Sequence, residues 1–215
     1  MSIKITLTDS IDVIQNRVNG AIAEVANKNI QTGRLKAQSI VRDLVKNWVM
    51  SQPEMQSIIS VNLGSLAGQF GIPVGQSMLA YDAIASSVAN SVTTNFTSFN
   101  KKNLSGNFSI NIQPEGFKNL LSLQDGHVIF PGGDLHWLDW FLTKGDTIIV
   151  ANYQYNPKGG AGRSRLGYMT VGSSFRVPPQ FSGTAENNFI TRALTGESQE
   201  KQISDVLERL VSGNL

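Results

Sequence analysis

The sequence predicts an α+β fold, in which N-terminal and central helices pack on a small antiparallel β-sheet and helices return at the C-terminus. Through most of the first 92 positions, apolar residues recur three or four apart, which is the period of helices with one buried face. Between about 93 and 195, short alternating or β-branched runs are separated by glycine-rich turns, which is typical of antiparallel strands. A length of 215 residues favours a single domain over 1–215, with a helical half over about 9–92, a sheet-containing half over about 93–195 and a terminal helix over 198–211.

The first predicted elements are a short strand and two long helices. Apolar and polar residues alternate over 3–7, which is the period of a strand. Asp9-Ser10 then offers an N-cap for a helix from about 10 to 30. Thr32-Gly33 is expected to end this helix, and a second helix is expected to follow it and to end near Gln52-Pro53.

Shorter helices are predicted over the next forty positions. Proline suits the first turn of a helix, where no N–H is needed, so Pro53 is expected to start a piece over 53–60. Another piece is expected over 64–70, closed by Gly71-Ile72-Pro73, and a longer helix over about 76–90. The predicted apolar side of this longer helix consists of Met78, Leu79, Ile84, Val88 and Val92.

Strand patterns dominate the second half of the chain. Residues 107–113 alternate apolar with polar, and the Thr- and Phe-rich segment 93–99 is a candidate partner. Asp134 is expected to cap a short helix that follows it. A strong strand is predicted over 147–155, with its partner over 166–171.

A long protruding hairpin loop is predicted over 156–165, and two helices, over 185–194 and 199–210, come after the strands. The loop lacks the final lysine and the following helix of a phosphate-binding P-loop. It is therefore interpreted either as an element that docks onto a partner or as a solvated hairpin tip. Its three cations are Lys158, Arg163 and Arg165.

The composition excludes several kinds of chemistry. No cysteine is present, which excludes disulfides, cysteine zinc sites and thiol catalysis. The two histidines, His127 and His136, lack the spacings of histidine metal motifs, so no metal and no other cofactor is predicted. No run of about 18 apolar residues is present, so no membrane-spanning segment is expected, and no secretion signal is expected. A net charge of +2 is too close to balance for nucleic-acid binding driven by charge alone.

Aromatic and histidine residues supply two further candidates. Trp137 and Trp140 lie three apart on a predicted helix, either as core residues or as interface anchors. His127 or His136 could act as the base of a hydrolase, with an orienting carboxylate from Asp125, Asp134 or Asp139. Against this, Asp134, His136 and Asp139 are expected to crowd together on one short helix.

The low share of charged residues favours a protein that packs against neighbours. Charged residues make up 16% of the chain, against about 25% in an average soluble domain. The sequence has 34 charged residues and 65 Ser, Thr, Asn and Gln residues. A surface of neutral polar groups is suited to subunit contacts, because burying it requires little removal of charge from water.

Several segments resemble virion proteins of tailed bacteriophages, in particular the neck, tail-completion and head–tail connector types. The resemblance is closer over 120–195 and looser over 30–75. The segments that carry it are Leu135–Asp146, Ile148–Val150, Arg163–Met169, Phe175–Thr184 with Pro178-Pro179, Asn187–Leu194, Thr32–Leu35 and Ser65–Pro73. The resemblance implies helices packed on a small antiparallel sheet and assembly as a ring, from which the helical region over 53–92 is a departure.

The resemblance implies a structural, non-enzymatic subunit that forms an oligomeric collar between head portal and tail, made in the host cytoplasm and incorporated into the virion. The implied partners are the portal or adaptor, the tail terminator or the tube and sheath, and further copies in a homo-oligomeric ring, with passive contact to DNA in the lumen and none to a membrane. The expected interface residues are Lys158, Arg163, Arg165, Arg176, Trp137 and Trp140. The alternatives are a tail terminator or baseplate protein, a small virion-associated hydrolase, and a nucleic-acid-binding module that uses the 156–165 loop.

Overall fold

A computed structural model describes residues 8–112, 115–130 and 133–215, and within them lie eight α-helices and three two-stranded antiparallel sheets. The helices are α1 (Ile11–Met50), α2 (Pro53–Ile59), α3 (Leu66–Phe70), α4 (Gln76–Asn90), α5 (Lys118–Leu121), α6 (Trp137–Thr143), α7 (Phe189–Leu194) and α8 (Glu197–Ser212). The strands are β1 (Thr93–Thr97), β2 (Asn107–Asn111), β3 (Val128–Phe130), β4 (Gly133–Leu135), β5 (Val150–Asn156) and β6 (Tyr168–Phe175). The predicted α+β class is confirmed, and the antiparallel pairing is divided over three hairpins, β1–β2, β3–β4 and β5–β6.

The contacts within the chain divide it into two compact units. The first comprises Met1–Val41, Thr93–Asn111 and Lys201–Leu215, and the second comprises Arg42–Val92 and Ile112–Glu200. The boundaries of the predicted single domain stay a prediction. The strand predicted over 3–7 lies outside the described residues.

In the first unit, α1 continues through Thr32-Gly33, so the expected break between two helices is wrong. The Thr32 hydroxyl donates hydrogen bonds to the backbone oxygens of Lys28 and Asn29, 3.0 and 3.1 Å away, which satisfies it inside the helix. A Cβ atom on Gly33 would lie 2.7 Å from Cδ1 of Leu210 on α8. The glycine therefore allows α1 and α8 to approach each other closely, and it does not form a turn that ends the helix.

Asparagine side chains attach the β1–β2 hairpin to α1. Asn27 donates to the backbone oxygen of Phe99 at 3.0 Å and accepts from its N–H at 2.8 Å, and Asn19 donates to the oxygen of Lys102 at 2.7 Å. The strands pair from Thr93 opposite Asn111 to Thr97 opposite Asn107, which confirms the pairing predicted for 93–99 and 107–113.

In the second unit, the short helices are placed as predicted. Pro53 is the first residue of α2, and α3 ends at Gly71, whose φ of 65° is the left-handed conformation that glycine adopts without strain. The predicted helix over 76–90 is confirmed as α4. Met78 and Leu79, however, were assigned to its buried side and are 55% and 62% exposed.

Two helix starts differ from prediction. Asp134 does not cap a helix, because it lies in β4 opposite Ile129, and α6 begins at Trp137. The helix predicted from 185 begins only at Phe189, since the side chains of Asn188 and Thr191 form a reciprocal capping box there.

The β5–β6 hairpin and the terminal helix follow the sequence pattern. Strand β5 pairs with β6 from Val150 opposite Phe175 to Asn156 opposite Tyr168, which confirms the predicted partnership of 147–155 and 166–171. Helix α8 confirms the terminal helix predicted over 198–211. Within the described ranges, no helix is both long enough and apolar enough to cross a membrane.

Candidate functional site

An exposed apolar stripe runs along the first half of α1. The α1 stripe, as we call it, consists of Ile11, Ile14, Val18, Ile22 and Val25. Ile14 is half-buried, and the other four are 77%, 47%, 50% and 58% exposed in that order. Successive members are three or four residues apart, which is the spacing of the seam between helices in a coiled coil.

The α1 stripe is separate from the face that α1 buries in its own unit. The buried residues of the same segment are Asn19, Ala23, Ala26 and Ile30. At 3.6 residues per turn, this buried face lies roughly a third of a turn around the helix from the stripe. Among the described residues, the first half of α1 therefore has two apolar faces, of which one contributes to the core and the other, the α1 stripe, is exposed.

The second unit has an aromatic core around Phe70. The Phe70 ring lies 5.7 Å from Trp137, 6.0 Å from Phe141 and 6.3 Å from Phe175, measured between ring centroids. Trp137 is 0% exposed, which places it in the core. Trp140 is only partly buried and lines a cavity next to this core.

That cavity has a volume of about 470 Å³, and most of the side chains that line it are aromatic or aliphatic and come from α3, α6 and strands β3 to β6. The lining also includes the polar side chains of Gln69, Tyr155, Arg163 and Tyr168. The Tyr155 hydroxyl donates to the backbone oxygen of Leu166 at 2.9 Å, and burial raises the pKa of this tyrosine. The cavity is within the size range of small-molecule sites, although its lining is predominantly apolar.

The β5–β6 loop does not present its three cations in the same way. Arg163 folds back, with its guanidinium carbon 4.3 Å from the centroid of the Phe130 ring, and desolvation lowers its pKa. Lys158 and Arg165 are exposed, and Arg163 is exposed as well despite its contact with Phe130. Between them, the Ser164 side chain is buried and accepts a hydrogen bond from the N–H of Leu166 at 3.2 Å. All three cations of the loop are therefore accessible to a partner, and Arg163 differs from the other two in its contact with the Phe130 ring.

Arg176, the remaining predicted interface cation, follows β6 and is exposed. Its Nη1 atom lies 3.5 Å from Oδ2 of Asp146, and the two side chains are 51% and 70% exposed. An exposed ion pair of this kind contributes little to stability, so Arg176 is available for a contact.

His127, Asp134 and His136 form a cluster. The sequence named Asp134 among three possible carboxylate partners of either histidine, but it did not bring both histidines to the same carboxylate. The Asp134 Oδ2 atom lies 3.2 Å from Nδ1 of His127 and 3.3 Å from Nε2 of His136. The expectation that Asp134 and His136 crowd on one helix is wrong, because Asp134 is in β4 and His136 directly follows that strand. The missed signal is the Asp-x-His spacing, at which Oδ2 of Asp134 in β4 and Nε2 of His136 just beyond it come 3.3 Å apart.

No protein-family model, no curated protein and no solved structure matches this chain.

Proposed function

We propose that this protein is a structural, non-enzymatic subunit of a tailed-bacteriophage neck, which assembles into a homo-oligomeric collar between the head portal and the tail. The observation that carries the assembly part of the proposal is the α1 stripe. The phage part is supported by the segments over 120–195 and 30–75 that resemble neck, connector and tail-completion proteins.

The α1 stripe favours a helix of another copy as its partner. Side chains at three- and four-residue spacing fit between those of a second helix with the same spacing, and a second copy of α1 supplies that pattern. Burial of one Ile or Val side chain contributes about 1.5–3 kcal/mol, and association costs about 4–15 kcal/mol in total. Burial of the stripe on both copies can therefore offset this cost and support pairing. A pair related by two-fold symmetry closes on itself, so a ring requires further contacts.

The exposed cations are suited to those further contacts. Lys158 and Arg165 on the β5–β6 loop, together with Arg176, supply positive charge on an otherwise lightly charged chain. Charged groups at the rim of an interface determine which partner binds and how fast, more than how tightly. In this proposal they meet the portal or adaptor on one side, or the tail terminator, tube or sheath on the other.

Two substitutions test whether the α1 stripe is a contact between copies. Val25→Lys places a charge in the stripe, and Val13→Lys makes the same change on another side of the same helix, where Val13 is 40% exposed. We expect the wild type to self-associate with rising concentration in sedimentation velocity and native mass spectrometry. Val25→Lys is expected to weaken this association at least tenfold, and Val13→Lys to leave it unchanged.

Two outcomes would contradict the assembly proposal: a wild type that stays monomeric up to high micromolar concentration, or equal effects of the two variants. Circular dichroism controls for folding, since both changes are on exposed helix positions. The phage part is tested separately by mass spectrometry of purified virions, in which the chain should be present in several copies per particle. Its absence from mature particles would refute a neck role.

A further inference from the structure

Three metal-binding side chains come together at one end of the β3–β4 hairpin. The paired residues end at Val128 opposite Leu135, and His127 and His136 directly flank this pair, with their ring centroids 3.9 Å apart. Asp134 lies within β4, two positions before His136. The donors are brought together by strand pairing, although the two histidines are nine positions apart.

The distances match those between ligands of a single ion. The nitrogen and oxygen donor atoms of the three residues all lie within 4.8 Å of one another, and Asp134 Oδ2 is 3.2 and 3.3 Å from the two histidine nitrogens. Ligand atoms bound tetrahedrally to zinc at 2.0–2.1 Å are about 3.3–3.4 Å apart. A small ion could therefore be bound with little movement of the side chains.

The donor set also selects a class of ion. Two imidazoles and one carboxylate are typical of zinc and of iron(II) sites that keep open positions, whereas calcium and magnesium prefer oxygen ligands. The side chains of His127, Asp134 and His136 are 22%, 40% and 52% exposed, so an ion can enter from solvent.

We propose that His127, Asp134 and His136 form a binding site for one divalent transition-metal ion, with zinc as its best-suited occupant. Each strand of this hairpin has only three residues, and such short pairings have little stability of their own. An ion bound to both strands would hold the end of the hairpin closed, because metal binding to the folded state stabilises that state. This inference does not depend on the assembly proposed above.

Titration of the untagged, full-length protein with Zn²⁺ in a calorimeter tests the site, with Co²⁺ absorption as a second probe. We expect one ion per chain, visible d–d bands for Co²⁺ and a higher melting temperature with metal. Asp134→Asn and His136→Ala should each weaken binding by more than the 10–100-fold that loss of an outer hydrogen-bond partner costs. Asp139→Asn removes a carboxylate three positions beyond His136 and should leave the affinity unchanged.

The alternative is that the two imidazoles only share hydrogen bonds with the Asp134 carboxylate. In that case the wild type would show no saturable binding up to millimolar Zn²⁺ and no d–d bands, which would overturn the proposal. Equal weakening by Asp139→Asn and Asp134→Asn would also overturn it, since it would indicate binding to general surface charge. Because the Co²⁺ spectrum is measured on the wild type, the test remains decisive even if a variant fails to fold.

Discussion

The guanidinium of Arg192 donates a hydrogen bond to the carboxylate of Glu54, which lies 138 positions earlier in the sequence. The Glu54 side chain is 3% exposed, whereas that of Arg192 is 39% exposed. The second carboxylate oxygen of Glu54 is buried with no hydrogen-bond partner among the described residues. Arg192 therefore offsets much of the cost of burying this carboxylate beneath α7.

Arg192→Ala is expected to destabilise the protein by about 2–3 kcal/mol, because it leaves a buried carboxylate unpaired. The figure is lower than for a fully buried pair, since Arg192 is partly solvated. Urea unfolding measures the loss. Arg176→Ala is the matched control, because its pair with Asp146 is exposed, and it should cost less than about 1 kcal/mol. Similar losses from both variants would contradict a special role for the Glu54 pair.

Trp137→Ala is expected to cost about 3–5 kcal/mol, because it removes a completely buried indole from the aromatic core. Trp140→Ala should cost about 1–2 kcal/mol, since Trp140 is only partly buried. Trp137→Phe should be much milder than Trp137→Ala. It keeps an aromatic ring beside Phe70 and removes an indole N–H that has no acceptor among the described residues. Thermal or urea unfolding ranks the three variants. A larger loss of unfolding free energy in Trp140→Ala than in Trp137→Ala would contradict the assignment of Trp137 as the core tryptophan.

Tyr155→Phe is expected to cost about 1–2 kcal/mol near neutral pH, because the backbone oxygen of Leu166 loses its donor. The difference in unfolding free energy between the wild type and Tyr155→Phe should become smaller at alkaline pH. Burial raises the pKa of Tyr155 in the folded state above the unfolded value of about 10, so the stability gained from the neutral phenol is lost as pH rises through the folded pKa. Urea unfolding at about pH 8 and about pH 11 measures the trend.

Tyr153→Phe is the control for this pH effect, because Tyr153 lies on the same strand and is 44% exposed. Its stability difference from the wild type should be small at both pH values. A Tyr155→Phe difference that stays constant between them would contradict the raised pKa.

Gly71→Ala is expected to destabilise the protein by about 1–2 kcal/mol, because Gly71 ends α3 in the left-handed conformation. The new Cβ would also lie 3.0 Å from Nη2 of Arg163, which would have to shift. Gly159→Ala is the control, since nothing lies within 4 Å of its Cβ position, and it should change stability by less than about 0.5 kcal/mol. Equal stability of the two variants, measured by urea unfolding, would contradict this account of the end of α3.

Local patterns predicted much of the secondary structure. The start of α2 at Pro53, the extent of α4 and the pairing of β5 with β6 depend on residues close together in the chain, and all three were predicted. The predictions that are wrong depend on contacts between residues far apart in the chain. The local pattern at Gly33 predicts a helix break, because the sequence does not show that Leu210 packs against this glycine.

In the candidate sites too, residue types could be predicted from the sequence, whereas contacts between distant residues could not. The loop cations could be found from the sequence, but the stacking of Arg163 on the Phe130 ring could not. The sequence named Asp134 as one possible partner of His127 or His136, but it predicted Asp134 at a helix cap and did not bring all three residues together. Asp134 lies in β4, and the pairing of Val128 with Leu135 brings the flanking histidines to it.

The sequence by itself determined the α+β class, the absence of cysteine chemistry and the apolar periodicity of α1, because composition and local spacing are properties of neighbouring residues. Only the tertiary structure decided which apolar face of α1 is buried, which carboxylate pairs with Arg192 and which side chains surround Asp134. Periodicity shows that a face is apolar but not what covers it. Pairing between distant segments depends on packing and strand register, which no local pattern contains.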